Sequence, residues 1–110
     1  YIINLQDKGE TLTTFSSDEQ ADVMADVVNY LIENFDLVSE IEPLPYIPGN
    51  EKAIINDKPT SPHNEEEMKT YRELNNGYYL DAHLNKKDKK SYLRRLAEKS
   101  GLDVAFNGKW

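Results

Sequence analysis

All five prolines of this chain fall between Pro43 and Pro62. Proline fixes φ and removes a backbone donor, so no helix interior survives that spacing. Residues 41–63 therefore read as a long loop, with Pro48-Gly49-Asn50 as a turn inside it. Ala53 to Asn56 is a short candidate strand, placed beside an N-terminal hairpin. A loop of this length in a small domain is uncommon unless it is functional or flexible. Its LPYIPGN stretch is either a docking surface or a crossing over the core, and the reading favours burial of Tyr46 and Ile47.

What flanks the loop must supply the fold. YIINLQDKGETLTTF has two β-favouring runs around a Gly-containing connection longer than a tight turn, which predicts a hairpin. In SSDEQADVMADVVNYLIENF, Ser17 and Gln20 have capping-box spacing. Met24, Val27, Val28, Leu31 and Phe35 recur every three or four residues, which predicts a helix from about Asp18 to Asn34. HNEEEMKTYRELNNG predicts a second helix, capped by Ser61 or Asn64, with Met68, Tyr71 and Leu74 inward and Asn76-Gly77 as its stop. Tyr78 to Leu84 suits strand or helix. A third helix is predicted from about Lys89 to Ser100, with Asp88 as N-cap and Gly101 as C-cap. Asp103 to Phe106 follows as a short strand, and Trp110 folds back on the body. The class is α+β: a small antiparallel sheet, the N-terminal hairpin, packed against about three helices. Residues 1–110 form a single domain. The expected core is Ile3, Leu5 and Phe15, the apolar stripe of the first helix, Met68, Tyr71 and Leu74, then Leu93 and Leu96.

Charge is unevenly spread. The chain carries a formal −7. Residues 1–50 hold ten carboxylates against Lys8 alone, a formal −9. Residues 86–99 hold seven cations against Asp88 and Glu98, a formal +5. The acidic half repels phosphate backbones and anionic membranes, and the basic patch attracts them. Asp18, Asp22, Asp26 and Glu33 form a candidate partner-binding face on the first helix. Its plainer reading is a helix exterior that keeps the chain soluble. Lys87, Lys90 and Arg94 share a helical face, with Lys86 and Arg95 near it. Lys87, Lys90, Arg94 and Arg95 are the candidate nucleic-acid contacts. Their plainer reading is a solvated helix or a partner for acidic groups.

Several chemistries drop out. The chain has no cysteine, which removes disulfides, thiolate metal sites and cysteine nucleophiles and suits the cytoplasm. No apolar run approaches the roughly 18 residues of a membrane span. The chain opens on Tyr1 rather than Met, as a trimmed product would. Nucleotide-binding glycine motifs and the serine-nucleophile elbow are absent. Asp81 and His83 would face one side of a strand and share a proton or a metal. His63 with Glu66 and Glu67 makes a second partial set. Metal sites need three or four converging ligands, so neither pair suffices alone. No cofactor is implied.

LAEKSGL, Leu96 to Leu102, resembles the first half of a helix-turn-helix. Ala97 and Gly101 have the family's spacing, and Leu96 and Leu102 match its flanking apolar positions. The resemblance implies a recognition helix after Gly101, but only DVAFNGKW remains, and Asn107-Gly108 would break it after one turn. A helix ending on a glycine cap has the same signature.

Together these features suggest a non-enzymatic protein-binding or regulatory module. Its partner is another protein, or a second copy through the opposite charge patches. Its size and Asn/Lys/Glu/Tyr-rich composition suit a bacterial or phage accessory protein. A weak nucleic-acid binder using the basic helix is the alternative, and a small metal-dependent enzyme around Asp81 and His83 is a third class. No membrane contact is expected.

Overall fold

The computed structural model describes residues 1–49, 52–60 and 67–110. Within it, three helices and two three-stranded antiparallel sheets share one apolar core, an α+β arrangement. Strands β1 (Ile2–Asp7) and β2 (Glu10–Ser16) form the N-terminal hairpin. Its connection is tighter than the sequence suggests. Asp7 pairs with Glu10, and Lys8 and Gly9 both take positive φ, 50° and 85°. Two consecutive left-handed residues match the right-handed twist of the flanking strands. A bulge shifts the register between Leu5 and Gln6 and leaves Leu12 without a cross-strand partner. That accounts for Leu12 being 44% exposed.

Helix α1 (Gln20–Phe35) carries the expected apolar stripe. Met24, Val27, Val28 and Leu31 are fully buried, whereas Phe35 and the hairpin's Phe15 are half-buried against the core. The capping box does not form. Tyr1 exchanges backbone hydrogen bonds with Ser17, whose N–H donates to the Tyr1 carbonyl at 3.1 Å. This extends the ladder and delays the helix, and the Ser17 hydroxyl then accepts the Glu19 N–H at 3.2 Å. Asp36, at φ 52°, turns the chain into the short helix α2 (Leu37–Ile41). Leu37 and Ile41 extend the core.

The second sheet corrects two expectations. The predicted second helix is absent where the chain is described, and Ser61, His63, Asn64 and Glu66 lie outside the described residues. Tyr71–Glu73 is instead strand β4, which pairs with β5 (Tyr79–Asp81). Met68, Tyr71 and Leu74 have helical spacing, but three residues make a stripe too narrow to specify a helix. Asn76 and Gly77 adopt left-handed φ of 65° and 82°, and the Leu74 N–H donates to the Tyr78 carbonyl at 2.7 Å. The dipeptide read as a helix stop is thus a hairpin connector. Tyr71 ends half-buried, edge-on to Tyr79 at 5.8 Å. The strand expected beside the N-terminal hairpin is β3 (Ile55–Asn56), and it pairs with β5 in the order β3-β5-β4. Tyr46 ties the proline segment to it by two backbone bonds to Ile54 and Ile55, each 2.8 Å. Tyr46 and Ile47 are half-buried.

Helix α3 (Lys86–Lys99) starts three residues before its expected position. Asn85, not Asp88, is the cap: its side-chain oxygen accepts the Asp88 N–H at 2.8 Å. At the other end Gly101 takes φ 72°, its N–H donates to Glu98, and the Leu102 N–H donates to Ala97. This pair of bonds is a Schellman closure, with buried Ala97 and Leu102 providing its apolar contact. A strand follows, β6 (Asp103–Asn107), which completes the order β2-β1-β6. The recognition helix implied by the helix-turn-helix resemblance is therefore replaced by an edge strand. Leu93, Leu96 and Ala97 pack with Ile3, Leu5 and the α1 stripe in one buried cluster. Each fully buried Leu or Ile there contributes about 1.5–3 kcal/mol relative to exposure.

Candidate functional site

The acidic face of α1 is partly covered from within. Strand β4 lies along it, and Arg72 reaches across. The Arg72 Nε donates to Asp22 at 2.6 Å and its Nη2 to Glu19 at 2.9 Å. The hydrogen bond from Arg72 holds the Asp22 carboxyl below its ordinary pKa, and Asp22 and Glu19 push the guanidinium up. One turn after β4, the Asn75 backbone N–H donates to the Asn29 side chain at 2.8 Å, and the Asn75 side chain donates to Glu33. Of the four predicted acidic contacts, Asp22 and Glu33 thus hold the second sheet against α1. Asp18 and Asp26 stay exposed, and partial burial followed by the charge of Asp22 raises the Asp26 pKa.

The cations of α3 divide over three sides. Lys89 turns toward α1 and donates to Gln20 at 2.9 Å; burial, then the charge of Arg72, lowers its pKa. Arg95, one of the predicted nucleic-acid contacts, lies on the second side. It turns toward the proline segment, where its Nη1 donates to the Pro48 carbonyl at 3.3 Å and its guanidinium lies 5.8 Å from the Tyr92 ring. Together with Lys99, 5.6 Å from the Tyr46 ring, it lines an open groove beside Pro48. Burial raises the Tyr46 pKa against the opposing pull of Arg95.

The third side is a row along β6. Lys90 Nζ lies 5.6 Å and Arg94 Cζ 5.1 Å from the Phe106 ring centroid. Lys86 donates to the Lys109 carbonyl at 2.8 Å and sits 5.9 Å from the Tyr1 ring. Trp110 packs edge-on between Tyr1 and Phe106, at 5.2 and 5.1 Å. Lys87 is exposed one position away. Among the described residues, none of these cations pairs with a carboxylate; the ion pairs are Lys52–Asp81, Arg72–Glu19 and Arg72–Asp22. The i, i+4 spacing of Lys86, Lys90 and Arg94 is legible in the sequence. The aromatic bed beneath them is not, because Tyr1 comes from one terminus and Phe106 and Trp110 from the other.

Asp81 contacts His83 through the His83 backbone. Asp81 is buried and its Oδ1 accepts the His83 backbone N–H at 2.8 Å, while His83 itself is exposed. Lys52 Nζ stands 3.6 Å from Asp81 Oδ2 and donates to the His83 carbonyl. Burial raises the Asp81 pKa, and the His83 N–H and Lys52 oppose it. Among the described residues, no group of three His, Cys, Asp or Glu gathers to hold a metal. The partial set of His63 and Glu66 with Glu67 lies largely outside the described residues. Among the described residues no helix is long and apolar enough to cross a membrane. Comparison with known protein families, curated proteins and solved structures finds no match to this chain.

Proposed function

We propose that the protein is a non-enzymatic binding module that docks another protein through the basic row Lys86, Lys90 and Arg94. One observation carries this: among the described residues these cations have aromatic neighbours and no carboxylate partner. Asp22 and Glu33, by contrast, are engaged with Arg72 and Asn75. A cation held over a ring keeps its charge outward for a partner. The formal −9 of the first fifty residues opposes the approach of a long polyanion. A discrete acidic patch on a protein suits the row better. The test is capture from nuclease-treated lysate by the wild type and by a K90E/R94E variant. A protein partner lost on charge reversal supports the reading, and equal capture by both overturns it.

A nucleic-acid reading draws on Tyr1, Phe106 and Trp110, since aromatic rings beside cations can stack exposed bases. Trp110 is the sole tryptophan and reports on this spot by its emission. Anisotropy titration of labelled DNA and RNA at low and moderate salt separates the two. Binding that weakens steeply with salt and disappears in K90E/R94E favours nucleic acid. Absence of binding at low salt removes it.

A further inference from the structure

The basic row lies over an open sheet edge. In the order β2-β1-β6, strand β6 pairs with β1 from Ile2↔Asn107 to Gln6↔Asp103 and, among the described residues, has no strand on its other side. On such an edge, alternate residues direct N–H and C=O groups outward. The register Ile3↔Phe106 and Leu5↔Val104 puts Phe106 and Val104 on the helix-covered face, with buried Ile3 and Leu5. Lys90 and Arg94 lie against Phe106, so their charges stand at the rim of this edge, on the helix side. Lys86 reaches Lys109, two residues past the strand's end.

A strand laid along β6 would direct every second side chain to that same side, opposite Val104 and Phe106. Those positions meet Lys90 and Arg94, whereas the intervening ones meet the outer face around Ala105. We propose that the β6 edge takes an extended segment of another protein by strand addition, with acidic side chains at alternate positions read by Lys90 and Arg94. The inference rests on the basic-row reading and adds to it a binding mode and a partner chemistry. A second copy is a poorer occupant. Pairing β6 with β6 would oppose two basic rows. Joining β6 to the free β2 edge of a translated copy would give a parallel pair in a non-closing array, because both strands run antiparallel to β1.

The test uses two short acidic peptides of equal charge: one alternates Glu and Val, and the other is the same sequence N-methylated at each Glu, whose N–H would otherwise donate to β6. Trp110 emission reads affinity, and amide hydrogen exchange followed by NMR reads location. The proposal expects the Glu-Val peptide to bind, to slow exchange at alternate β6 amides and not at β2, and to weaken by about tenfold or more in K90E/R94E. The N-methylated peptide should bind at least about tenfold more weakly. Unchanged dispersion of the variant's amide spectrum shows that its fold is retained. Equal binding of both peptides, still lost in K90E/R94E, overturns strand addition and leaves the row as a protein contact. Binding indifferent to K90E/R94E overturns both readings. Failure of the Glu-Val peptide to protect β6, or a dimer formed through β6, overturns the strand-addition proposal. An oligonucleotide that binds the row in place of the peptide overturns both.

Discussion

Arg72 joins elements fifty residues apart in sequence, and its effect is testable through the proton it moves. Its hydrogen bond depresses the folded-state pKa of Asp22. A carboxyl with a depressed folded pKa stabilises the fold above its unfolded value, and that contribution disappears as pH falls through the folded value. Arg72→Ala should therefore lose stability at neutral pH, lose less in acid, and return the Asp22 titration to the ordinary aspartate range. Urea unfolding across the acid range and side-chain NMR titration read the two effects; an unmoved Asp22 would mean that Arg72 does not hold it. Asp81 has the opposite sign. Burial raises its folded pKa, so the folded state keeps the proton to a higher pH than the unfolded chain. Ionisation above the ordinary aspartate value then lowers stability until the raised folded value is passed. Asp81→Asn keeps an oxygen for the His83 N–H and removes the charge. Its stability relative to wild type should rise as pH climbs through that window. Asp81→Ala leaves the N–H without its acceptor and should cost about 1–3 kcal/mol below that window, less above it as the wild type ionises. A flat Asn-minus-Asp difference would contradict the burial argument.

At the scale of the element, α3 is defined by its two ends. Asn85→Ala should destabilise by about 1 kcal/mol, while Asp88→Asn, which leaves the cap oxygen of Asn85 in place, should cost a few tenths. The reverse order would restore Asp88 as the cap. Gly101→Ala forces a Cβ into left-handed φ and should cost about 1–2 kcal/mol, with Gly101→Asn milder. Both are readable from thermal or urea unfolding. These ends also show what a sequence can convey. α1 was legible because its apolar stripe repeats over four turns and ignores small errors at the caps. Gly101 was legible because only a residue tolerant of positive φ closes a helix that way. The second sheet was not. β3, β4 and β5 are two or three residues long, too short for an alternating pattern to rise above chance. Their identity comes from partners across the chain, such as Arg72 facing Leu80. The basic row was visible as charge and Asp103 to Phe106 as a strand, but their meeting over Phe106 depended on β6 pairing with β1 from the far end of the chain. Arg72 gave no signal at all, since an isolated arginine has no local pattern to mark its role.

At the scale of the whole molecule, the charge asymmetry would govern how the acidic segment proposed above arrives more than how it stays. The acidic residues of α1 and the basic row belong to one small body, and at moderate salt each charge acts over about 8–10 Å. An acidic segment approaching β6 is pulled by Lys86, Lys90 and Arg94 and repelled by exposed carboxylates such as Asp18 and Asp26. Rim charges of this kind set association rates, whereas desolvated contacts and ladder hydrogen bonds set dissociation. Neutralising the front in Asp18→Asn/Asp26→Asn should therefore speed association of the Glu-Val peptide, by up to about tenfold at low salt, and leave its dissociation rate nearly unchanged. Added salt should slow wild-type association and shrink the difference between the two proteins. Stopped-flow measurement of Trp110 emission gives both rates. If the acidic face is instead the contact surface, its partner is basic, and the same two substitutions should weaken capture of that partner while leaving the peptide's kinetics unaltered. The rates thus assign the two faces separately. A faster approach with unchanged departure makes the front half a selector against acidic partners, and its basic counterpart the surface that engages them.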